Sequence, residues 1–155
     1  FKDRFHSLAM KLIEISSPLF DRVNHIRIHG DCHCGNILDR MEEGFYIIDF
    51  DDMMIGPPIQ DLWLFLPDRL PHAQRELNLV IKGYETFRPF DYASIPLIES
   101  LRAMRMIYFL TWCSKQIDDY QFNKNFPDWG SHTFWQKECN DLREQLGCAL
   151  DLLTP

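Results

Sequence analysis

The sequence predicts a mainly α domain of the α+β class, in which helices surround one small β-hairpin. Apolar residues recur at helical spacing over most of the chain, whereas short β-prone runs are confined to residues 26–48. The chain has 155 residues, of which 46% are hydrophobic, and this is enough to bury one core. We therefore expect residues 1–155 to form a single ordered domain.

The first helix is predicted over residues 1–16. Phe1, Phe5 and Leu8 share one face of a helix, and the Ser-Ser-Pro sequence at 16–18 should end it. This periodicity is already complete at the first residue, which is not Met. We therefore expect the natural protein to extend upstream of this chain.

The β elements follow next along the chain. Residues 26–28 form a short β-prone run, and residues 37–38 and 45–48 should pair as a hairpin around a tight turn. The Gly-Pro-Pro sequence at 56–58 is a stiff break, and residues 59–66 then resemble a short buried helix. The predicted hairpin thus lies between two helical parts of the sequence.

Helices are predicted for the rest of the chain. An apolar stripe covers residues 77–87. Ser94 should cap the next helix, which runs to about Tyr120 and is apolar almost all round, so we expect it at the centre of the domain. Thr133 and Gln136 resemble a capping box at the start of a last amphipathic helix.

Charge and cysteine content argue against several classes of partner. A net charge of -7 and a pI near 5.3 are unsuited to a surface that binds nucleic acid through Lys and Arg, whereas a metal ion can neutralise the phosphates of a nucleotide. Five unevenly spaced cysteines, without a signal-peptide pattern, favour a cytoplasmic protein. The apolar stretch at 97–113 carries Glu99, Arg102 and Arg105, so we do not expect a membrane span.

Polar side chains suited to phosphoryl transfer cluster around the predicted hairpin. A loop beginning at His29-Gly30-Asp31 reaches Asn36 just before the first strand, and Asp49 follows the second strand. Transfer from ATP requires Mg²⁺ to bridge the phosphates and a carboxylate to accept the proton of the incoming hydroxyl. A hairpin returns its second strand to the start of the first. Asp31 is therefore the candidate base, and Asn36 and Asp49 are candidates to share the ion.

These residues also carry a resemblance to a known family. The pattern H-G-D-x-x-x-x-N followed by I-D-F-D resembles the catalytic and metal-binding loops of the aminoglycoside phosphotransferase and choline kinase superfamily, which shares its fold with protein kinases. Residues 30–38, 51–63, 101–112 and 125–127 further resemble the bacterial stress response kinase A group. The resemblance implies the C-terminal catalytic lobe of a protein kinase-like fold. It also implies ATP and Mg²⁺ as cofactors and protein Ser or Thr hydroxyls as acceptors in a stress response.

The resemblance also assigns roles to single residues. It implies that Asp31 is the catalytic base, that Asn36 and Asp49 bind the metal and its nucleotide, and that Asp61 braces the catalytic loop through hydrogen bonds to its backbone. Asp51 stands where protein kinases have the Gly of D-F-G, which puts regulation by loop flipping in doubt. We expect Asp51 to support the metal ligands indirectly, and we leave Asp52 open between that role and a solvated turn.

One part of such a kinase is missing from the sequence. No G-x-G-x-x-G pattern and no Lys on a β-rich segment is present, although these groups cover and pair the ATP phosphates. We therefore expect an N-terminal lobe upstream of Phe1, and we expect this chain alone to have negligible activity.

Alternative interpretations remain open at several residues. His29, Cys32, His33 and Cys34 are residue types that bind zinc, although ligands crowded within six residues rarely converge on one ion. Cys32 and Cys34 could instead be redox-responsive thiols. We expect His29 to brace its loop rather than to move protons.

The roles of Arg102 and Arg105 and the chemical class of the acceptor are also open. Arg102 and Arg105 should pair with core carboxylates, with direct substrate contact as the alternative. In place of a protein, the acceptor could be a small alcohol of the aminoglycoside, choline or homoserine type. A non-catalytic binding domain with the same fold is a third hypothesis.

Overall fold

Helices dominate the computed structural model, which describes residues 1–153. The last two positions of the predicted 1–155 domain lie outside the described residues. The helices are α1 Lys2–Phe20, α2 Ile59–Leu62, α3 Gln74–Tyr84, α4 Leu97–Ser114, α5 Tyr120–Asn125 and α6 His132–Asp151. The strands are β1 Ile26–Ile28, β2 Ile37–Asp39, β3 Phe45–Ile47 and β4 Met54–Gly56. The predicted mainly helical character with small β elements is confirmed.

The strands form two separate antiparallel pairs. β2 and β3 make the predicted hairpin, with Ile37 opposite Ile47. β1 pairs with β4, with Ile26 opposite Gly56, and this second pair was not predicted. Only three residues of β4 precede the Pro-Pro break, which is too short for a recognisable alternation. The β1–β4 pair brings together the two ends of the chain segment that contains the hairpin. The loop from β1 to β2 and the loop from β3 to β4 are therefore each held by a strand at both ends.

The chain divides into two compact units. One contains residues 1–18 together with the chain from Glu99 onward, and the other contains Leu19–Ile98. The core of the first unit joins α1, α4 and α6 through Leu12, Ala103, Leu142 and Leu146. Both β pairs, α2, α3 and every candidate catalytic residue belong to the second unit.

Two predicted helix ends were wrong. α1 continues through Pro18 to Phe20, because Pro18 in the last turn removes only the bond to the carbonyl of Glu14, which is exposed to water. α4 ends at Ser114 instead of near Tyr120. After it the chain turns, and the Asp119 side chain accepts from the Phe122 N–H at 3.0 Å to begin α5.

Two predicted caps were also wrong. Ser94 lies in a 3₁₀ turn and donates its hydroxyl to the Asp91 carbonyl, so it does not cap α4. α6 is capped by Ser131, whose Oγ accepts from the Phe134 N–H at 3.1 Å, instead of by Thr133. Both errors arose because the capping residue is decided by the direction of the entering chain.

The central position predicted for α4 is only partly confirmed, since Tyr108, Phe109 and Trp112 are exposed.

A buried polar contact joins α4 and α6 in the first unit. Gln145 Nε2 donates to Glu99 Oε2 at 2.6 Å and to the Glu99 carbonyl at 3.0 Å, and both residues are buried. Arg102 Nε lies 3.4 Å from the same carboxylate oxygen, which is the core ion pair expected for that arginine. A buried carboxylate is stable only when such partners replace its water.

Replacing Gln145 by Leu should therefore destabilise the fold. The change leaves the buried Glu99 carboxylate with one donor fewer, and we expect the free energy of unfolding to fall by about 2 kcal/mol. Gln121, which is exposed on α5, gives the matched control, and Q121L should change stability by less than about 0.5 kcal/mol. Urea unfolding followed by tryptophan fluorescence measures both, and equal losses in the two variants would contradict the argument.

Candidate active site

The loop after β1 is held by two neighbouring side chains of α2. Asp61 Oδ2 accepts from the His29 N–H at 2.8 Å, and Asp61 Oδ1 accepts from the Gly30 N–H at 2.8 Å. Gln60 Nε2 donates to the Gly30 carbonyl at 3.2 Å. The backbone of this loop is thus bonded from both sides of residue 30 to one short helix.

Glycine is required at position 30 for two reasons. Its φ is +91°, a conformation that residues with a side chain rarely adopt, and a Cβ atom there would lie 2.2 Å from the Asp52 carbonyl oxygen. The loop that follows β1 and the turn that precedes β4 therefore pack backbone against backbone at this point.

His29 connects the two loops that carry the candidate residues. Its Nδ1 accepts from the Asp31 N–H at 3.3 Å, and its Nε2 faces the Ile48 carbonyl at 2.8 Å. Because Nδ1 is an acceptor, the ring proton is on Nε2, which donates to Ile48. The buried ring also packs on Phe50, with the ring centroids 4.9 Å apart. A single ring therefore positions the backbone on either side of the site.

Asn36 is buried and bonded to both loops. Its Nδ2 donates to the Asp31 carbonyl at 3.0 Å, and its own carbonyl accepts from the Ile48 N–H at 3.0 Å. The first bond fixes the orientation of the amide and leaves Oδ1 as the side-chain atom that can bind a cation. The second bond extends the hairpin by one step, to the residue before Asp49.

Asp49 follows this bond in a left-handed conformation, with a φ of +65°. Asp tolerates that region better than most residues, and the turn directs the chain out of the hairpin. Its side chain is exposed, as is that of Asp51. Within residues 1–153 no hydrogen bond or ion pair of the Asp51 carboxylate is found, while Asp52 contributes its carbonyl oxygen to the contact with Gly30.

Two oxygen donors at this place suit Mg²⁺. The Asn36 amide oxygen and the Asp49 carboxylate are hard ligands, and they belong to chain segments joined by the bond from Ile48. One or two protein oxygens with phosphates and water are the usual Mg²⁺ environment in phosphoryl-transfer sites. The residue types therefore fit the ion that the sequence implied.

Asp31 has a partner that sequence reasoning missed. His33 Nε2 lies 3.4 Å from Asp31 Oδ2, and the Asp31 side chain is about a quarter exposed, at 24%. His33 was considered only as a zinc ligand. The signal that could have found it is the spacing of two residues on a non-helical loop, which puts both side chains on the same side of the chain.

The zinc interpretation finds no support in the described part of the chain. No group of three or more His, Cys, Asp and Glu side chains there is arranged to hold a metal. Both ring nitrogens of His29 face protein partners, and His33 Nδ1 accepts from the Gly35 N–H at 2.9 Å. These bonds occupy both ring nitrogens of His29 and one ring nitrogen of His33, which could otherwise bind zinc.

The two loop cysteines differ in their surroundings. Cys32 is buried, and its burial, followed by the nearby carboxylates of Asp61 and Asp31 and the Cys34 thiol, raises the pKa of its thiol. A raised pKa reduces the thiolate fraction and with it the reactivity of Cys32. Cys34 is exposed and free. A shared redox role is therefore disfavoured at Cys32.

An apolar hollow lies on the β2–β3 hairpin. Its volume is about 480 Å³, and it is lined by Cys34, Ile37, Phe45 and Ile47. Phe45 is 76% exposed and Ile47 is 47% exposed, which is unusual for strand residues of this kind. The hollow thus offers an apolar surface on the hairpin that lies between Asn36 and Asp49 in the sequence.

Among residues 1–153, no helix is both long and apolar enough to cross a membrane.

Comparisons with known proteins find bacterial kinases that are similar to this chain in sequence. Over 120 residues the chain is 43% identical to the stress response kinase A of Salmonella typhi and to the serine/threonine protein kinase RdoA of Salmonella typhimurium. It is 42% identical to the stress response kinase A of Escherichia coli K12. Each match covers 77% of this chain but 36% of the relative, so the chain spans about a third of their length.

A solved structure shows the same fold. The spectinomycin phosphotransferase that was crystallised with ADP and spectinomycin matches 97% of this chain and 46% of its own, with a TM-score of 0.52 and 18% sequence identity. At that identity the likeness concerns the fold alone. The architecture is thus that of a known phosphotransferase.

The family of this chain is shown by a family model that matches both the loop after β1 and the loop after β3. The phosphotransferase enzyme family matches residues 11–97, which is more than half of the chain and includes Asp31, Asn36, Asp49 and Asp61. The resemblance inferred from the loop motifs to the stress response kinase A group is confirmed. This chain belongs to the phosphotransferase enzyme family.

Proposed function

We propose that the protein containing this chain is an ATP- and Mg²⁺-dependent kinase that transfers the γ-phosphoryl group to a hydroxyl. The observation that carries the proposal is the position of Asn36. Its amide hydrogen bonds to the Asp31 carbonyl, its backbone carbonyl bonds to the residue before Asp49, and its Oδ1 is directed away from the first of these bonds. The base and both metal ligands thus belong to one bonded unit.

In this mechanism Asp31 acts on the acceptor. Its carboxylate accepts the proton of the attacking hydroxyl while the hydroxyl oxygen bonds to the γ-phosphorus and the bond to the β-phosphate oxygen breaks, so that ADP leaves. Asn36 and Asp49 would hold Mg²⁺, which supplies charge neutralisation at the phosphates when it is bound. The partial exposure of Asp31 supports its access to an acceptor.

The hairpin hollow is the proposed place for the nucleotide base. Its apolar lining by Ile37, Phe45 and Ile47 suits a flat heterocycle, and Ile37 directly follows Asn36. This arrangement also accounts for the exposure of large apolar side chains on a hairpin of an acidic chain.

For the acceptor we propose Ser or Thr hydroxyls of proteins in a stress response. The support is the name of the Salmonella typhimurium relative, a serine/threonine protein kinase, at 43% identity over 120 residues. A small alcohol is the second candidate, because the structural neighbour is a phosphotransferase solved with spectinomycin. A non-catalytic binding domain is disfavoured by the presence of Asp31, Asn36 and Asp49 together in this sequence.

We also propose that this chain is one lobe of a larger protein. Residues 1–155 would form the C-terminal catalytic lobe, and an N-terminal lobe would supply the glycine-rich loop and the phosphate-binding Lys. The support is the coverage of about a third of the relatives' length and the lack of either element in the sequence. A cytoplasmic location remains the expectation from the cysteine content.

Replacing Asp49 by Ala in the full-length protein should abolish Mg²⁺-dependent turnover. The D49A change removes the charged metal ligand. The D31N change removes the base, and it should lower kcat by about 10² to 10⁴-fold. ADP release at varied Mg²⁺ measures both rates. D118A removes an exposed carboxylate in the other unit and should behave as wild type. Near-normal turnover by D49A would end the assignment.

Replacing Asp61 by Asn should loosen the loop. The Asn side chain has one oxygen, so one of the two N–H groups of His29 and Gly30 would face an NH₂ group instead of an acceptor. We expect a loss of about 2 kcal/mol of stability, with faster amide exchange at these two residues than elsewhere in the second unit. Hydrogen exchange and thermal unfolding, with D118N as the control, measure this, and unchanged exchange at residues 29–30 would refute the bracing role.

The acceptor is tested by a direct comparison. The full-length protein is incubated with labelled ATP and either a protein extract or a panel of aminoglycosides, choline and homoserine. Label on Ser or Thr of proteins that disappears with D31N supports the proposal. Label on a small alcohol alone would replace it with the second candidate.

A further inference from the structure

We infer that His33 is a positioning residue for the Asp31 carboxylate, held in one tautomer by the turn that it caps. The inference rests on the proposed role of Asp31 as the base. It follows from the contacts of the His33 ring, one nitrogen of which is used by the backbone while the other faces Asp31.

The ring of His33 is anchored by the turn that follows it. Residue 33 has extended backbone angles, with φ −97° and ψ 167°, and caps the 3₁₀ turn Cys34–Asn36. Its Nδ1 accepts from the Gly35 N–H at 2.9 Å. A Cβ atom at position 35 would lie 2.7 Å from Cε1 and 2.9 Å from Nδ1 of this ring, so glycine there leaves the space that the ring occupies.

The cap decides which nitrogen carries the proton. A neutral imidazole has one N–H, and because Nδ1 accepts from Gly35 the proton is on Nε2. Nε2 is the atom that lies 3.4 Å from Asp31 Oδ2. This distance is long for a hydrogen bond, and such bonds commonly tighten when the substrate binds.

A donor on Oδ2 has a direct consequence for the carboxylate. When the 3.4 Å contact closes to a hydrogen bond, it restricts rotation about the Cβ–Cγ bond of Asp31 and so sets the direction of the second carboxylate oxygen. The backbone of the same residue is already positioned by the His29 ring and the Asn36 amide. His33 thus completes the orientation of a group that must meet a hydroxyl within hydrogen-bonding distance.

Two substitutions separate the roles of the two nitrogens. In H33N the side-chain oxygen can take the place of Nδ1 as cap acceptor, but no donor reaches Asp31. In H33Q the longer amide can present a donor near Asp31, but the cap is lost. For a positioning role we expect kcat of the full-length protein to fall by up to about 100-fold in H33N and less in H33Q.

Stability should change in the opposite order. We expect Tm to fall by about 1 °C in H33N and by about 3 °C in H33Q, since only the latter loses the cap. KM for ATP should change little in either variant. H72N, at an exposed histidine of the same unit, should match wild type. Wild-type kcat in H33N, or a kcat loss that follows Tm in both variants, would overturn the inference.

Two further measurements distinguish this inference from the proposed function. The double variant D31N/H33N should be no slower than D31N, because His33 acts only through Asp31. The ¹⁵N shifts of the His33 ring should show Nδ1 as the nitrogen without a proton, and a proton on Nδ1 alone would overturn the inference whatever the activity. If D31N alone leaves turnover intact, the proposed function fails and the inference fails with it. If D31N abolishes turnover and H33N is harmless, only the inference fails.

Discussion

The two hydrogen bonds from the backbone of His29 and Gly30 to the Asp61 carboxylate are the contact on which the rest of the site depends. Backbone N–H groups inside a fold need acceptors, and a loop turned by a residue at φ +91° cannot find them in a strand or a helix. One carboxylate at the start of α2 satisfies both. Asp31 and Asn36 belong to the loop that this carboxylate holds.

The rest of the site is built by small elements that reinforce one another. β1 and β4 pair over three residues each, as do β2 and β3. Such short strands are marginal alone, but the His29 ring, the Asn36 amide and the close approach of Gly30 to Asp52 connect them. The result joins the loop of Asp31 and Asn36 to the chain segment that leads into Asp49.

Sequence reasoning was most successful where the signal was local. The hairpin and the long helices follow from periodicity, and both are present. It was unsuccessful at β4, because three residues before a Pro-Pro pair carry no alternation, and the pairing partner lies more than 25 residues away. The extension of α1 through Pro18 and the cap at Ser131 were missed because each depends on which carbonyls and amides the neighbouring chain leaves unpaired.

By itself the sequence determined the residue types and their spacing: an Asp and an Asn five positions apart before a hairpin, and an Asp directly after it. Those features are local, and they suffice to predict a phosphotransferase. Only the tertiary structure decided the direction of each polar group, including the Asn36 amide, the proton on His29 and the contact of His33 with Asp31. The physical reason is that a hydrogen bond depends on where its partner lies in space, and the loop that carries these groups is held by Asp61, which lies more than 30 positions further along the chain than His29 and Gly30.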